Sequence, residues 1–378
     1  MGTRLIFGPG CVEQMEEELR KLGSKDILLV TDQGIVKSGV LQLVTRVLDA
    51  AEIGYEVFDQ VQPNPDIAHI DLSYQSIRSK KVDLIIAVGG GSVMDAAKAL
   101  ALLLTNRGSI RDYEGRGVFQ TAAIPLFAVP TTVGTGSEVT RACVISDHER
   151  HQKMIVGGPS LAPKIAFLDA YLITKLPGHL VAATGIDALT HAIEGYVCKK
   201  ANPLTDALNR HALQMIYSSI RPAVADSSNV EAINQMLFAS TITGIGAGNA
   251  SLGIVHAISH AIGGHYDVPH GMANGILLPY AIDWNWIANP VKFADIYDLL
   301  DLKGMRCDLS IEEKAKGASA AIRSLLEDIQ MPRRLTELGI DASKVDLIAE
   351  QAIQDGYIPY NPRRLSKSDI KNLILAAM

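Results

Sequence analysis

The chain lacks any CxxC pair. Its four cysteines, Cys11, Cys143, Cys198 and Cys307, are dispersed, which argues against a disulfide framework and against a thiolate zinc site. It also lacks a block of lysine or arginine and any interleaving of basic with aromatic residues. The formal charge of -6 is modest and scattered, so nucleic acid is not an expected partner. No apolar run reaches the roughly 18 to 20 residues needed to span a bilayer. The stretch MGTRLIFGPGCVEQ has no charged segment followed by a long apolar one. These absences lead us to expect a cytoplasmic protein without a membrane partner. Internal repeats and low-complexity tracts are missing too.

What is present is apolar sequence in two different patterns. With 378 residues, 48% of them hydrophobic, the chain can bury a core in each of about two domains. Residues 11–23 have helical periodicity, KDILLVTD (25–32) reads as a strand delivered to a loop, and VKSGVLQLVTRVLDAA as one helix. YEVFDQV then reads as a strand, NPDIAHIDLSYQSIRSKK as a helix, and VDLIIAV (82–88) and IPLFAVP (124–130) as buried strands. Alternating strands and helices imply a parallel sheet covered on both faces. After Pro177-Gly178 the pattern turns almost wholly helical, over 180–198, 205–220, 229–247, 250–264 and onward. The expected organisation is an α/β domain at 1–178 and an all-α domain at 179–378.

Two features carry chemistry. The first is a constellation in the helical half. Asp187 and His191 in TGIDALTHAIEGY, and His256 and His260 in GIVHAISHAIGGHYDVPHG, are pairs spaced by four residues, so each pair shares a helical face; His270 ends the second run. A carboxylate on an apolar face costs several kcal/mol to desolvate unless a cation meets it, which makes a divalent metal the natural occupant. Histidines satisfied by backbone groups are the competing reading, and spacing alone does not say which of the five side chains bind.

The second feature is the junction of strand 82–88 with GGGS (89–92) and the helix VMDAAKALALLL. Glycine allows close backbone approach to a pyrophosphate, and the following helix start supplies free N–H groups and a positive dipole end. GGGS is not the GxGxxG fingerprint, and a tight turn is the alternative. The hydroxyl-rich TTVGTGSEVT follows strand 124–130, at the strand end where open α/β sheets bind ligands. Asp32, at the end of an early strand, is either an acceptor for ribose hydroxyls or a helix N-cap.

Taken together, GGGSVMDAAKA, PTTVGTGSEVT, ATGIDALTHAIEGYV and HAISHAIGGHYDVPHGMANGILLPY resemble, in order and along the whole chain, the signatures of the iron-containing (group III) alcohol dehydrogenase family. The resemblance implies a dinucleotide-binding α/β domain, a helical domain and an active site in the cleft between them. It makes Asp187, His191, His256 and His270 the metal ligands and leaves His260 beside the metal as proton relay or nicotinamide-orienting group. It points to Gly89, Gly90, Gly91 and Ser92 for the pyrophosphate, Thr131, Thr132 and Thr135 for the rest of the cofactor, and Lys153 for the nicotinamide ribose. It places Ala142 and Ala247 at substrate-facing positions; His265 departs from the family pattern and with Arg141 either forms a polar lobe for substrate or faces solvent.

The chemistry so implied is hydride transfer between a short-chain alcohol and NAD, with Fe²⁺ as the family's metal and Zn²⁺ favoured by intrinsic affinity. His265 and Arg141 lead us to expect a substrate with a polar or anionic tail. A homodimer or larger homo-oligomer is expected. A lyase of the dehydroquinate synthase type, also metal- and NAD-dependent, shares the architecture. It would need a basic cluster, and residues 184–280 hold only Lys199, Lys200, Arg210 and Arg221.

Overall fold

A computed structural model describes residues 2–266, 268–300 and 308–378; Cys307 lies outside the described residues. The chain divides into two compact units, Met1–Leu176 and Pro177–Met378.

The first unit is built on β1 (Arg4–Phe7), α1 (Met15–Leu22), β2 (Ile27–Val30), α2 (Gln33–Ser38), α3 (Val40–Ala50), β3 (Tyr55–Phe58), α4 (Ile67–Ile77), β4 (Leu84–Gly89), α5 (Gly91–Leu103), β5 (Gly115–Arg116), β6 (Leu126–Pro130), β7 (Ala142–Asp147), β8 (Gln152–Gly157) and β9 (Ile165–Leu168). Six strands form one sheet in the order β1-β9-β6-β4-β2-β3, and every pairing in it is parallel. Side chains alternate across it. Ile27, Leu29, Leu84, Ile86, Val88, Phe127 and Phe167 pack on one face with Met15, Leu19, Val44 and Leu48 of α1 and α3. The central strands are buried along their whole length, as a sheet covered on both faces requires.

Three features depart from the sequence reading. The helix expected from residue 36 is two helices, because Gly39 adopts φ 78° and ends α2 in the left-handed conformation. The helix expected from Cys11 begins as a 3-10 turn before α1. The antiparallel hairpin β7–β8, the edge strand β1 and its neighbour β9 were not anticipated.

The second unit contains α6 (Gly178–Val197), α7 (Pro203–Ala225), α8 (Val230–Asn249), α9 (Ile254–His265), α10 (His270–Asn285), α11 (Pro290–Leu300), α12 (Ile311–Asp328), α13 (Val345–Ala352) and α14 (Lys367–Ala377). The boundary expected at 178/179 falls in the first turn of α6. That helix is buried over most of its length and packs on α7, α8 and α10. No single helix among the described residues is long and apolar enough to cross a membrane; the bent pair α8–α9 reaches that apolarity only when joined across a 100° break.

Candidate metal and dinucleotide sites

In the helical unit, Asp187 and His191 project from α6, His256 and His260 from α9, and His270 opens α10. Gly271 sets how closely α10 meets α6, since a Cβ there would lie 2.0 Å from the Ala183 carbonyl oxygen. The glycine after His270 is therefore a packing requirement that brings His270 to Asp187.

Around Asp187 Oδ1 lie three imidazole nitrogens: His191 Nδ1 at 3.8 Å, His256 Nε2 at 3.8 Å and His270 Nε2 at 3.9 Å. These separations are too long for hydrogen bonds and close to what donor atoms show when they share one ion. Asp187, His256 and His270 offer donor atoms all within 4.8 Å of one another; His191 stands outside that tightest set. Its Nδ1 is nevertheless buried without a hydrogen-bond partner. An orphaned imidazole nitrogen in a cage of three further donors fits a divalent cation, and the three-nitrogen, one-oxygen set suits Fe²⁺ or Zn²⁺.

Electrostatics favour the same occupant. Burial pushes the Asp187 carboxyl up, opposed by the neighbouring His191 and by Asn274, whose Nδ2 donates to Oδ1 at 2.8 Å. Burial drives His256 well below the usual histidine range, so its ring is neutral, the form that binds metal. His260 is held differently. Its Nδ1 lies 2.9 Å from Asp355 Oδ2, while its ring stacks on His270 with centroids 5.5 Å apart. Like His191, His260 is not among the three donors grouped within 4.8 Å of one another, and its Nδ1 is directed to a carboxylate.

Several residues at this site were missed by sequence reasoning. Glu194 Oε2 lies 2.7 Å from His256 Nδ1, and burial raises its carboxyl to about 7. It sits seven residues after Asp187 and three after His191, a spacing that places it on their face and that could have flagged it. Asn274 follows His270 by four residues on α10 and could have been flagged in the same way, whereas Asp355 and Tyr357 come from a distant segment and carry no such signal.

In the α/β unit, the strand–glycine–helix junction forms as expected. Gly90 caps α5 without a side-chain hydrogen bond, which leaves the first N–H groups of a 13-residue helix open to an anion. The glycines are required sterically. A Cβ on Gly89 would meet Val93 at 2.5 Å, one on Gly90 would meet Thr132 Cγ2 at 2.9 Å, and one on Gly91 would meet Thr135 Cγ2 at 2.8 Å. The turn thus brings Gly90, Gly91, Thr132 and Thr135 together. Thr131 is buried, its N–H donating to the Gly89 carbonyl at 3.1 Å.

Ser92 and Lys153 belong to one network. Asn64 N–H donates to Ser92 Oγ at 3.1 Å, and Lys153 Nζ donates to Ser146 Oγ at 2.8 Å and to Asn64 Oδ1 at 3.4 Å. Behind the threonine loop, fully buried Lys98 donates to the Ser137 and Ala142 carbonyls and to the Ser137 and Thr140 hydroxyls. Asp32 caps α2, accepting from Ile35 N–H at 2.9 Å through Oδ1.

The substrate-facing candidates lie in both units. Arg141 is exposed and Ala142 half-buried. Ala247 is buried, and a Cβ on Gly195 would come within 3.1 Å of it, so α6 and α8 approach closely there. His265 Nε2 pairs with Gln351 Oε1 at 2.8 Å.

Comparison with known proteins gives the same family at every level. The family described as iron-containing alcohol dehydrogenase matches residues 2–170, and the Fe-containing alcohol dehydrogenase family, C-terminal, matches residues 181–378. The chain is 40% identical over 369 residues to a 1,3-propanediol dehydrogenase of Klebsiella pneumoniae, covering 97% of this chain and 94% of that one. It is 36% identical to a lactaldehyde reductase of Escherichia coli, covering 99% of each chain. A crystal structure of a 1,3-propanediol oxidoreductase superposes with a TM-score of 0.95 at 39% identity, covering 99% of this chain and 98% of that one. The chain therefore belongs to the iron-containing alcohol dehydrogenase family and is an NAD-dependent, metal-dependent oxidoreductase of alcohols and aldehydes or ketones.

Proposed function

We propose that Asp187, His191, His256 and His270 hold the catalytic ion and that His260, oriented by Asp355, moves the proton of the alcohol. The observation that supports this most directly is the set of three imidazole nitrogens 3.8–3.9 Å from one Asp187 oxygen. When bound, the divalent ion supplies a Lewis acid for the substrate oxygen, and NAD supplies the hydride acceptor.

The chain's own groups do the rest. With Nδ1–H donated to Asp355, His260 presents Nε2 for proton uptake or release. Gly89, Gly90, Gly91 and Ser92 receive the pyrophosphate at the start of α5. Thr131, Thr132 and Thr135 line the same cradle, Lys153 takes the ribose next to the nicotinamide, and Asp32 takes the adenosine ribose.

The preferred substrate is short, with a polar or anionic tail; Arg141 and His265 are the candidate groups for recognising the tail, and Ala142 and Ala247 are the small substrate-facing positions. Relatives named for 1,3-propanediol and lactaldehyde act on molecules with a second oxygen function, which supports a polar tail. The same reading makes the enzyme a cytoplasmic homodimer or larger homo-oligomer with neither nucleic acid nor membrane as partner; sizing and fractionation test this. The decisive assay follows NADH absorbance with metal-loaded enzyme across ethanol, butanol, 1,2- and 1,3-propanediol and short anionic aldehydes. A kcat/KM that is equal across the panel would remove the tail-recognition reading.

A further inference from the structure

The first four N–H groups of an α-helix have no partner within it, and at α9 the N-cap is Gly253, which brings no side chain. Two buried side chains from elsewhere fill the gap. Glu194 Oε2 accepts from Gly253 N–H at 3.0 Å and from His256 N–H at 3.4 Å, and Oε1 accepts from Val255 N–H at 2.7 Å. Asn361 Oδ1 accepts from Ile254 N–H at 3.2 Å. Glu194 does one thing more. Its Oε2 also lies 2.7 Å from Nδ1 of His256, so a single carboxyl group anchors both the backbone at the start of α9 and the ring of a residue in its first turn.

We propose that Glu194 is a positioning residue that selects the metal-binding tautomer of His256. A neutral imidazole carries one proton, and a carboxylate offers only acceptors. With the proton drawn to Nδ1, the lone pair stands on Nε2, the nitrogen 3.8 Å from Asp187 Oδ1. The opposite tautomer would point an N–H into the donor cage and exclude a cation. Three backbone N–H groups already donate to the two Glu194 oxygens, so glutamine, although of the same shape, cannot replace it. If the glutamine amide nitrogen faces His256, it donates to Nδ1 and moves the ring proton to Nε2. If it faces the other way, it confronts the Val255 N–H.

The assignment rests on the proposed ligand set, and its test reads metal affinity and tautomer without turnover. Metal-free protein is titrated with Zn²⁺ against a chromophoric chelator, and the melting temperature of the metal-free protein is recorded in parallel. Glu194→Gln should weaken Zn²⁺ binding by about 10- to 100-fold, the range for losing a partner that orients a metal-binding histidine. Asn361→Ala is the control for helix capping. It removes the Ile254 N–H partner and bonds to Asn285 and Arg363 but leaves the His256 ring bond, so it should lower the melting temperature while holding Zn²⁺ affinity within about threefold of wild type.

Wild-type affinity in Glu194→Gln, or equal losses in both variants, would overturn the proposal. A wild-type protein that fails to bind Zn²⁺ would bring down the ligand set itself. A second measurement requires no change at Glu194. In metal-free wild type labelled with ¹⁵N-histidine, the His256 signal, identified by its absence in His256→Ala, should show the Nδ1–H tautomer; an Nε2–H signal overturns the assignment.

Discussion

His260 Nδ1 and Asp355 Oδ2 lie 2.9 Å apart although 95 residues separate them in the chain. Burial works to raise the Asp355 carboxyl, but the bond from His260 and the Tyr357 N–H at 2.8 Å outweigh it, and the group sits below the ordinary carboxylate range. An ionised Asp355 fixes the His260 proton on Nδ1. His260→Ala should therefore keep its metal while kcat falls about 100-fold or more, and Asp355→Asn should follow with a loss of about ten- to 100-fold. Elemental analysis beside steady-state kinetics checks both. Loss of the ion from His260→Ala would move this residue into the ligand set.

His256→Ala or His270→Ala should lose metal and activity together, since each removes a donor from the Asp187 cage. Chelation of the wild type should also lower the melting temperature, because an ion held at about 1,000 times its Kd stabilises the native state by about 4 kcal/mol. Adding back Fe²⁺ or Zn²⁺ should restore it. A melting temperature indifferent to chelation would contradict a native-state metal site.

At the glycine turn, Gly91→Ala places a methyl group 2.8 Å from Thr135 Cγ2 and should push that side chain out of the cradle. The expected result is a KM for NAD raised by about tenfold or more with metal content unchanged, since positional errors near 1 Å carry costs of that order. An unaltered KM would show that Thr135 plays no part in holding the cofactor.

The sequence made this much legible because its signals were local. Asp187 with His191, and His256 with His260, each share a helix face at four-residue spacing, and the glycine run lies between one strand and one helix. Asp355 could not be found in the same way, since only the packing of α13 on α9 brings that segment to His260. The hairpin β7–β8 escaped because Ser146 and Asp147, polar in sequence, are buried there. The long helix expected from residue 36 failed at one residue, Gly39, whose left-handed conformation no periodicity records. Glu194 was overlooked for a different reason: its spacing was visible, but nothing local showed that its partners would be the start of α9.

Acid stability should depend on Asp147. Burial favours its protonated form, yet it accepts from Arg150 Nε at 2.6 Å, from Arg111 at 3.3 Å and from the Arg150 and Glu149 N–H groups, which together hold it below the usual carboxylate range. A carboxyl depressed on folding contributes stability that is full above its unfolded value of about 3.9 and is lost as pH falls through the lower folded value. Asp147→Asn should cost about 1 kcal/mol at neutral pH, allowing for the exposure of both arginines, and should flatten the loss of stability below about pH 4. Denaturant titrations of both proteins at pH 3 and pH 7 check this, and an Asn variant with an unchanged acid slope would refute it.

Cofactor preference should turn on Asp32. One of its oxygens, Oδ1, is committed to the Ile35 N–H, so capping and cofactor selection can be separated by substitution. NADP would bring a phosphate to the place where NAD offers ribose hydroxyls. Two like charges about 4 Å apart repel by about 4 kcal/mol at an effective dielectric near 20, and solvent screening cuts this to about 1 to 3 kcal/mol, or roughly 5- to 150-fold in favour of NAD. Asp32→Asn keeps an equally good N-cap but removes the charge, so it should narrow the NAD-to-NADP ratio of kcat/KM without loss of stability. Asp32→Gly should narrow it similarly, at a cost of a few tenths of a kcal/mol. The change should come mainly from admitting NADP. A wild type that prefers NADPH, or an Asn variant with the wild-type ratio, would leave Asp32 with the helix cap as its only role.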